Sequence, residues 1–262
     1  MRRLLLPLPI LGLAMLGARP AAATVWYATY DLHVAGLHVM QTRITIDSDA
    51  RRYRLEMQSR SRGMLGVFSR SDQTTVVEGD WQGNTPRPRR YVVQGVMRGE
   101  RREALMDYAA DGRPQVRSLV PSLETEERDG VPADQLAGTM DSLSALLMLS
   151  RNVAATRRCE GAMRLFDARR LTQAQARTEG EETVPNEWGV GMQGRALRCT
   201  VESRMLGGFL RNQDQARSRE PSEITAWIAS PRAGAPPVPL RVEIASRWWG
   251  RVYATLTRLE GE

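Results

Sequence analysis

The chain has 262 residues, a formal net charge of +7 and no lysine, so all 37 basic residues are arginine. Schiff-base, pyridoxal and lysine-dependent phosphate-loop chemistries need an ammonium that this sequence lacks. Two histidines, His33 and His38, and two cysteines give little material for a closed zinc site. GC-rich coding is a sufficient source of the arginine bias, so the high pI says little about partners.

Residues 1–23 have the pattern of a secretory signal. Arg2 and Arg3 supply the basic start, residues 4–16 an apolar stretch interrupted by Pro7 and Pro9, and Ala21, Ala22 and Ala23 a small-residue cleavage site. The apolar run is well short of the roughly 20 residues that span a bilayer. Export to the periplasm with cleavage after Ala23 is the expectation, with 24–262 as one β-rich domain and no transmembrane segment. Loss of Arg2, Arg3 and Arg19 lowers the net charge from +7 to +4, an ordinary soluble surface.

The apolar and polar residues of the mature chain alternate. Trp26, Ala28, Tyr30, Leu32 and Val34 share one face of a first strand, and Gly36 marks the turn into a second strand over 39–46. Residues 47–50 supply the next turn. A third strand over 52–61 carries Tyr53, Leu55 and Met57 on one face, and a fourth runs from about 67 to 78 after Gly63 and Gly66. The connections are short enough for hairpins, giving an antiparallel meander. Strands over 91–97 and 101–108 continue it, and 121–132 is a charged surface loop. One convincing helix follows: Thr139 or Asp141 caps it, and Leu143, Leu146, Leu147 and Ser150 fall at helical spacing through about Arg151. Strands resume over 157–166, 169–177, 195–205, 223–229, 238–245 and 251–259. The proline-rich stretch 231–239 resembles a linker, but only 23 residues follow it, so the last strands complete the same sheet. A faint echo between 59–70 and 203–211 fits either equivalent strands or coincidence in a Gly- and Arg-rich chain.

Cys159 and Cys199 are an even pair in an exported chain, which predicts a disulfide rather than a reactive thiol. No nucleophile elbow, phosphate loop or dinucleotide fingerprint is present. His33 and His38 flank a turn with no third ligand in sight. Asp72, Glu78, Asp80, Asp141 and Asp167 are isolated in sequence, Asp141 reading as a helix-start residue and Asp167 as a turn residue. What remains is apolar surface: Trp26, Tyr30, Phe68, Phe209, Trp248 and Trp249 are candidates for a hydrophobic ligand or partner surface. Trp248 and Trp249 are adjacent and so face opposite ways on a strand. Arg87, Arg89 and Arg90, in the one dense basic cluster, are candidate anion contacts. No nucleic-acid recognition motif is present.

Several segments together resemble the uncharacterised bacterial envelope family known as domain of unknown function 3108. They are the strand and turn over 27–36, the helix start Thr139-Met140-Asp141-Ser142-Leu143-Ser144-Ala145-Leu146, and 159–170 with Phe166-Asp167-Ala168-Arg169-Arg170. Cys199 and Val238-Pro239-Leu240-Arg241-Val242-Glu243 complete the likeness. Where such proteins often have Asp-Gly-Arg, this one has Asp167-Ala168-Arg169, which counts against a left-handed turn there. The resemblance implies an exported β-rich fold reminiscent of the curved-sheet carriers of lipoproteins or lipids, and it brings no catalytic residues.

The expected fold is thus a single strongly curved antiparallel sheet or open β-barrel with the 140–151 helix packed against or inside it. The expected function is a non-enzymatic periplasmic protein, without cofactor or metal, that binds or carries a lipid-like ligand. The alternatives are a scaffold that binds an envelope protein, with peripheral membrane contact, and a hydrolase that uses dispersed carboxylates.

Overall fold

The computed structural model describes residues 24–63, 70–186, 189–246 and 250–262. Seven strands come first: β1 (Trp26–Val34), β2 (Leu37–Ser48), β3 (Arg52–Ser61), β4 (Asp72–Gln82), β5 (Thr85–Met97), β6 (Glu100–Tyr108) and β7 (Pro114–Val120). A 3-10 turn (Ala133–Leu136) and the helix α1 (Ser142–Thr156) follow. The chain then forms β8 (Gly161–Phe166), β9 (Leu171–Thr183), β10 (Arg195–Gly207), the short helix α2 (Gln215–Ser218), β11 (Ser222–Ala229), β12 (Val238–Ser246) and β13 (Gly250–Gly261).

The thirteen strands form one antiparallel sheet in the order β7-β6-β5-β4-β3-β2-β1-β13-β12-β11-β10-β9-β8. Its centre is the meeting of the chain's two ends. β1 pairs with β13 from Trp26↔Gly261 to Val34↔Val252, and the backbones of Val25 and Glu262 exchange bonds of 3.1 and 2.9 Å. The alternation read from sequence sets these faces, with Ala28 and Tyr30 of β1 and Tyr53 and Leu55 of β3 buried.

The expectation of a strongly curved sheet or an open β-barrel is overturned. The strand order is linear, and its two ends, β7 and β8, do not pair with each other. Closure needs a ladder between them. Instead, Met140 from the connecting segment lies along β8, donating to Arg164 O and accepting from Phe166 N, both at 2.9 Å. The molecule is a large open antiparallel sheet with two short helices.

Side chains and the connecting segment link regions that no ladder joins. Glu126 accepts Arg102 at 2.6 Å, Arg169 at 3.0 Å and Arg128 at 3.3 Å. The buried Arg169 also donates to Val120 O at 2.9 Å and Pro121 O at 3.3 Å. Burial alone would raise the Glu126 pKa, but Arg169, Arg102 and Arg128 outweigh it and hold the carboxyl below its ordinary range.

The helix α1 organises the interior. Asp141 accepts the Ser144 N–H at 2.8 Å and its hydroxyl at 2.6 Å, the N-cap arrangement that satisfies an otherwise orphaned donor. Arg157, at φ 55°, ends the helix three turns beyond Leu146, and its N–H bonds Val153 O. The helix is therefore longer than the 140–151 expected. Leu143 and Leu147 join the larger apolar cluster, while Ala145, Leu149 and Val153 join a second one around Cys159 and Cys199. Those cysteines form a disulfide with a Cα–Cα distance of 6.1 Å. It ties the approach to β8 onto β10, across the intervening β9.

Two local expectations are also revised. The strand expected from about 67 is described from Asp72, its 67–69 part lying outside the described residues, and β7 has no counterpart among the expected strands. Ala168 does adopt the left-handed conformation, at φ 70°, because Asp167 accepts the N–H groups of both Arg169 (3.1 Å) and Arg170 (2.7 Å). The turn's hydrogen bonds offset the strain that an alanine carries there.

Candidate functional site

A cleft of about 600 Å³ opens where the end of β2, the end of β4, the start of β1, the exposed side of α1 and the 230–237 segment converge. Such a volume lies within the roughly 300–1,000 Å³ range of small-ligand sites. Its lining mixes apolar residues, Trp26, Ile46, Trp81, Leu147, Ala154, Ala235, Pro236 and Pro237, with the polar Thr24, Ser48, Asp49, Ser150, Arg151 and Ser230.

Each wall has a local cause. On α1, Leu147, Ser150, Arg151 and Ala154 recur at three- and four-residue spacing and so share one stripe. The Ser150 hydroxyl donates to Pro237 O, which holds the proline segment against the helix. Trp81 donates its indole N–H to Ser48 Oγ at 3.2 Å and packs on Tyr53 with ring centroids 4.9 Å apart. Trp26 covers Gly261, its cross-strand partner, where a Cβ would come within 3.0 Å of the ring. Asp49 turns the chain, its Oδ1 accepting the N–H of Arg51 at 2.6 Å and of Arg52 at 2.7 Å. Those two backbone donors, Arg52 first, hold its pKa below the ordinary carboxylate value.

Charge enters this cleft through Arg151. Its guanidinium lies 4.1 Å from the Trp81 ring centroid, a cation–π arrangement, and Nη1 makes a long 3.4 Å bond to Asp49 O. Partial burial lowers the pKa, with Asp49 opposing the shift. On the loop wall, Arg232 stands 5.7 Å from the Trp26 centroid.

A second cleft, of about 660 Å³, lies near the other end of α1, between the β4–β5 hairpin, the turn after β6 and residues 138–140. Arg87 and Arg89 line it, but both are engaged, Arg89 with Asp80 at 3.3 Å and Arg87 with Gln82 at 2.8 Å. Arg90 lines a shallow depression with Arg54 and Glu78 instead. The three candidate anion contacts are therefore divided between two places.

The apolar candidates are divided too. Trp26 reaches the apolar cleft. Tyr30 is buried in the core, which pushes its phenol pKa up. Phe209 is buried at the end of β10 under the Arg219 guanidinium, 4.5 Å from its ring centroid. Phe68, Trp248 and Trp249 lie outside the described residues. Sequence reasoning missed Trp81, Arg151, Ala154 and the 234–237 wall. The helical stripe continues the spacing of Leu147, whereas the proline stretch shows in sequence only that it belongs to the same domain.

For acid–base or metal chemistry the described residues offer little convergence. Asp141 is the one buried carboxylate among them, and burial raises its pKa against the Ser144 hydrogen bonds. Ser144 passes the contact to Tyr53 Oη at 2.9 Å, inside the core rather than at an open surface. His33 and His38 stack with centroids 5.2 Å apart, and His33 also stacks on Tyr253 at 5.4 Å. No group of three or more His, Cys, Asp or Glu among the described residues is placed to hold a metal ion. Among those residues no helix is long and apolar enough to cross a membrane.

The model of the family described as protein of unknown function DUF3108 matches residues 29–257, nearly the whole of the sheet. The chain belongs to that family. A solved structure with a similar fold is that of a beta-barrel-like protein of domain of unknown function DUF1849 from Brucella abortus. It has 15% sequence identity and a TM-score of 0.56, over 92% of this chain and 98% of that one. At that identity the likeness concerns the fold alone. No curated protein matches the sequence.

Proposed function

We propose that this DUF3108 protein is an exported, non-enzymatic binder or carrier of a lipid-like ligand in the bacterial periplasm, and that the apolar cleft is its binding site. One observation carries the reading: two tryptophans, Leu147 and Ala154 of the helix and a proline segment, drawn from distant parts of the chain, line an open cleft of about 600 Å³. The signal-like residues 1–23 and the disulfide between Cys159 and Cys199 support the compartment.

The test is extraction of the processed protein purified from the envelope, followed by mass spectrometry. Acyl lipids are expected in stoichiometric amount from the wild type and at a much lower level from Ala154→Trp, which places an indole in the cleft from an exposed helical position. Equal recovery from both proteins, or none from the wild type, would overturn the reading.

A further inference from the structure

Resting on that reading of the cleft, we propose that its ligand is an amphiphile with a single oxyanion head, carboxylate or phosphate, and that Arg151 receives the head. Arg151 is set apart by what surrounds it. Many arginines of the sheet pair with a carboxylate across or along a strand, as Arg60 does with Asp72 and Arg117 with Asp107. Arg151 has no carboxylate within ion-pair distance among the described residues. Its contacts are the face of Trp81 and one long bond to a backbone carbonyl.

The nearest carboxylate, Asp49, acts on Arg151 only at a distance beyond an ion pair. Asp49 lends Oδ1 to two backbone N–H groups of its own turn, and only its carbonyl oxygen reaches Arg151. A guanidinium that is half-buried in an apolar cleft keeps donors whose hydration is incomplete, and an incoming oxyanion restores those bonds. Its planar fork suits the paired oxygens of a carboxylate or phosphate. Stacking on Trp81 fixes the plane of the fork in advance, so little side-chain freedom is lost on binding. Arg232, exposed on the loop wall, adds long-range attraction but no comparable enclosure. The Ser150 hydroxyl is committed to Pro237 O and so does not serve the head.

Isothermal titration of the processed protein with decanoate, decyl phosphate and decanol tests this. Wild type is expected to bind both anions more tightly than the alcohol. Arg151→Gln should weaken both anions about tenfold and leave decanol unchanged, the loss appropriate to one charge-assisted contact. Arg151→Lys should recover part of the loss, and more of it for phosphate than for carboxylate, since an ammonium is a phosphate partner without the fork. The ratio of decanoate to decyl phosphate affinity in wild type tells a fatty-acid-type head from a phosphate one. Equal affinity for all three probes, unaffected by Arg151→Gln but abolished by Ala154→Trp, would overturn the oxyanion inference and leave the cleft standing. Binding that Ala154→Trp does not reduce would overturn both.

Discussion

The two clefts adjoin neighbouring residues of β4, Asp80 on one and Trp81 on the other, and they hold their arginines differently. In the arginine-rich cleft, Arg89 pairs with Asp80 and Arg87 bonds the neutral amide of Gln82, so both are engaged within their own hairpin. In the apolar cleft, Arg151 lies on Trp81 with no carboxylate within ion-pair distance among the described residues. The number of guanidiniums in a region therefore says less about anion binding than the neighbours each one has. A cation already paired on the surface gains little from another anion, whereas a partly dehydrated one gains much.

The comparison can be broken most forcefully through what holds α1, because that helix walls the apolar cleft and the segment leading into its N-cap lines the other. Replacing Cys159 and Cys199 by serine is expected to cost on the order of 4 kcal/mol for a loop of about 40 residues, read as a lower urea midpoint. Asp141→Ala removes the N-cap and leaves Ser144 with a lost partner, and should cost about 2 kcal/mol in the same measurement. Both variants should weaken the two clefts together, which hydrogen exchange along α1 would show.

Asp141→Asn sharpens the point through pH. Burial raises the folded carboxyl above its ordinary value of 3.8, so the folded state binds the proton more tightly than the unfolded state. Wild-type stability should consequently fall as pH rises from about 3.8 through the folded pKa. The asparagine variant keeps a capping oxygen without the charge, so it should cost less than alanine and flatten that part of the profile. A pH dependence in Asp141→Asn equal to wild type would remove Asp141 as its source.

The smallest expected effect separates the clefts directly. Arg89→Gln should change decanoate binding less than twofold and stability by about 0.5 kcal/mol or less, as for an exposed pair. A loss as large as that of Arg151→Gln would erase the distinction between the two sites.

Much of the architecture was legible because strand and helix periodicity is local. The buried set of β1 and β3, the Asp141 cap and the disulfide all follow from spacing or from a count of two cysteines. The Arg87, Arg89 and Arg90 candidates were legible only as a cluster; which carboxyl or amide each one meets depends on the hairpin register. Trp81, Arg151 and the 235–237 segment are far apart in sequence, and no periodicity relates them.

The sequence by itself determined most of the strands, the longer helix and the staple, because each depends on neighbours within a turn or on pairing of the only available thiols. The tertiary structure decided that β7 and β8 stay apart, since Met140 takes hydrogen bonds along β8 that an adjoining strand would use. It also decided that the proline segment is a wall and that Arg151, rather than the dense arginine cluster, is the cation left facing an apolar cleft. Those outcomes depend on which distant surfaces meet and which polar groups they leave to satisfy, and that is settled only when the chain packs.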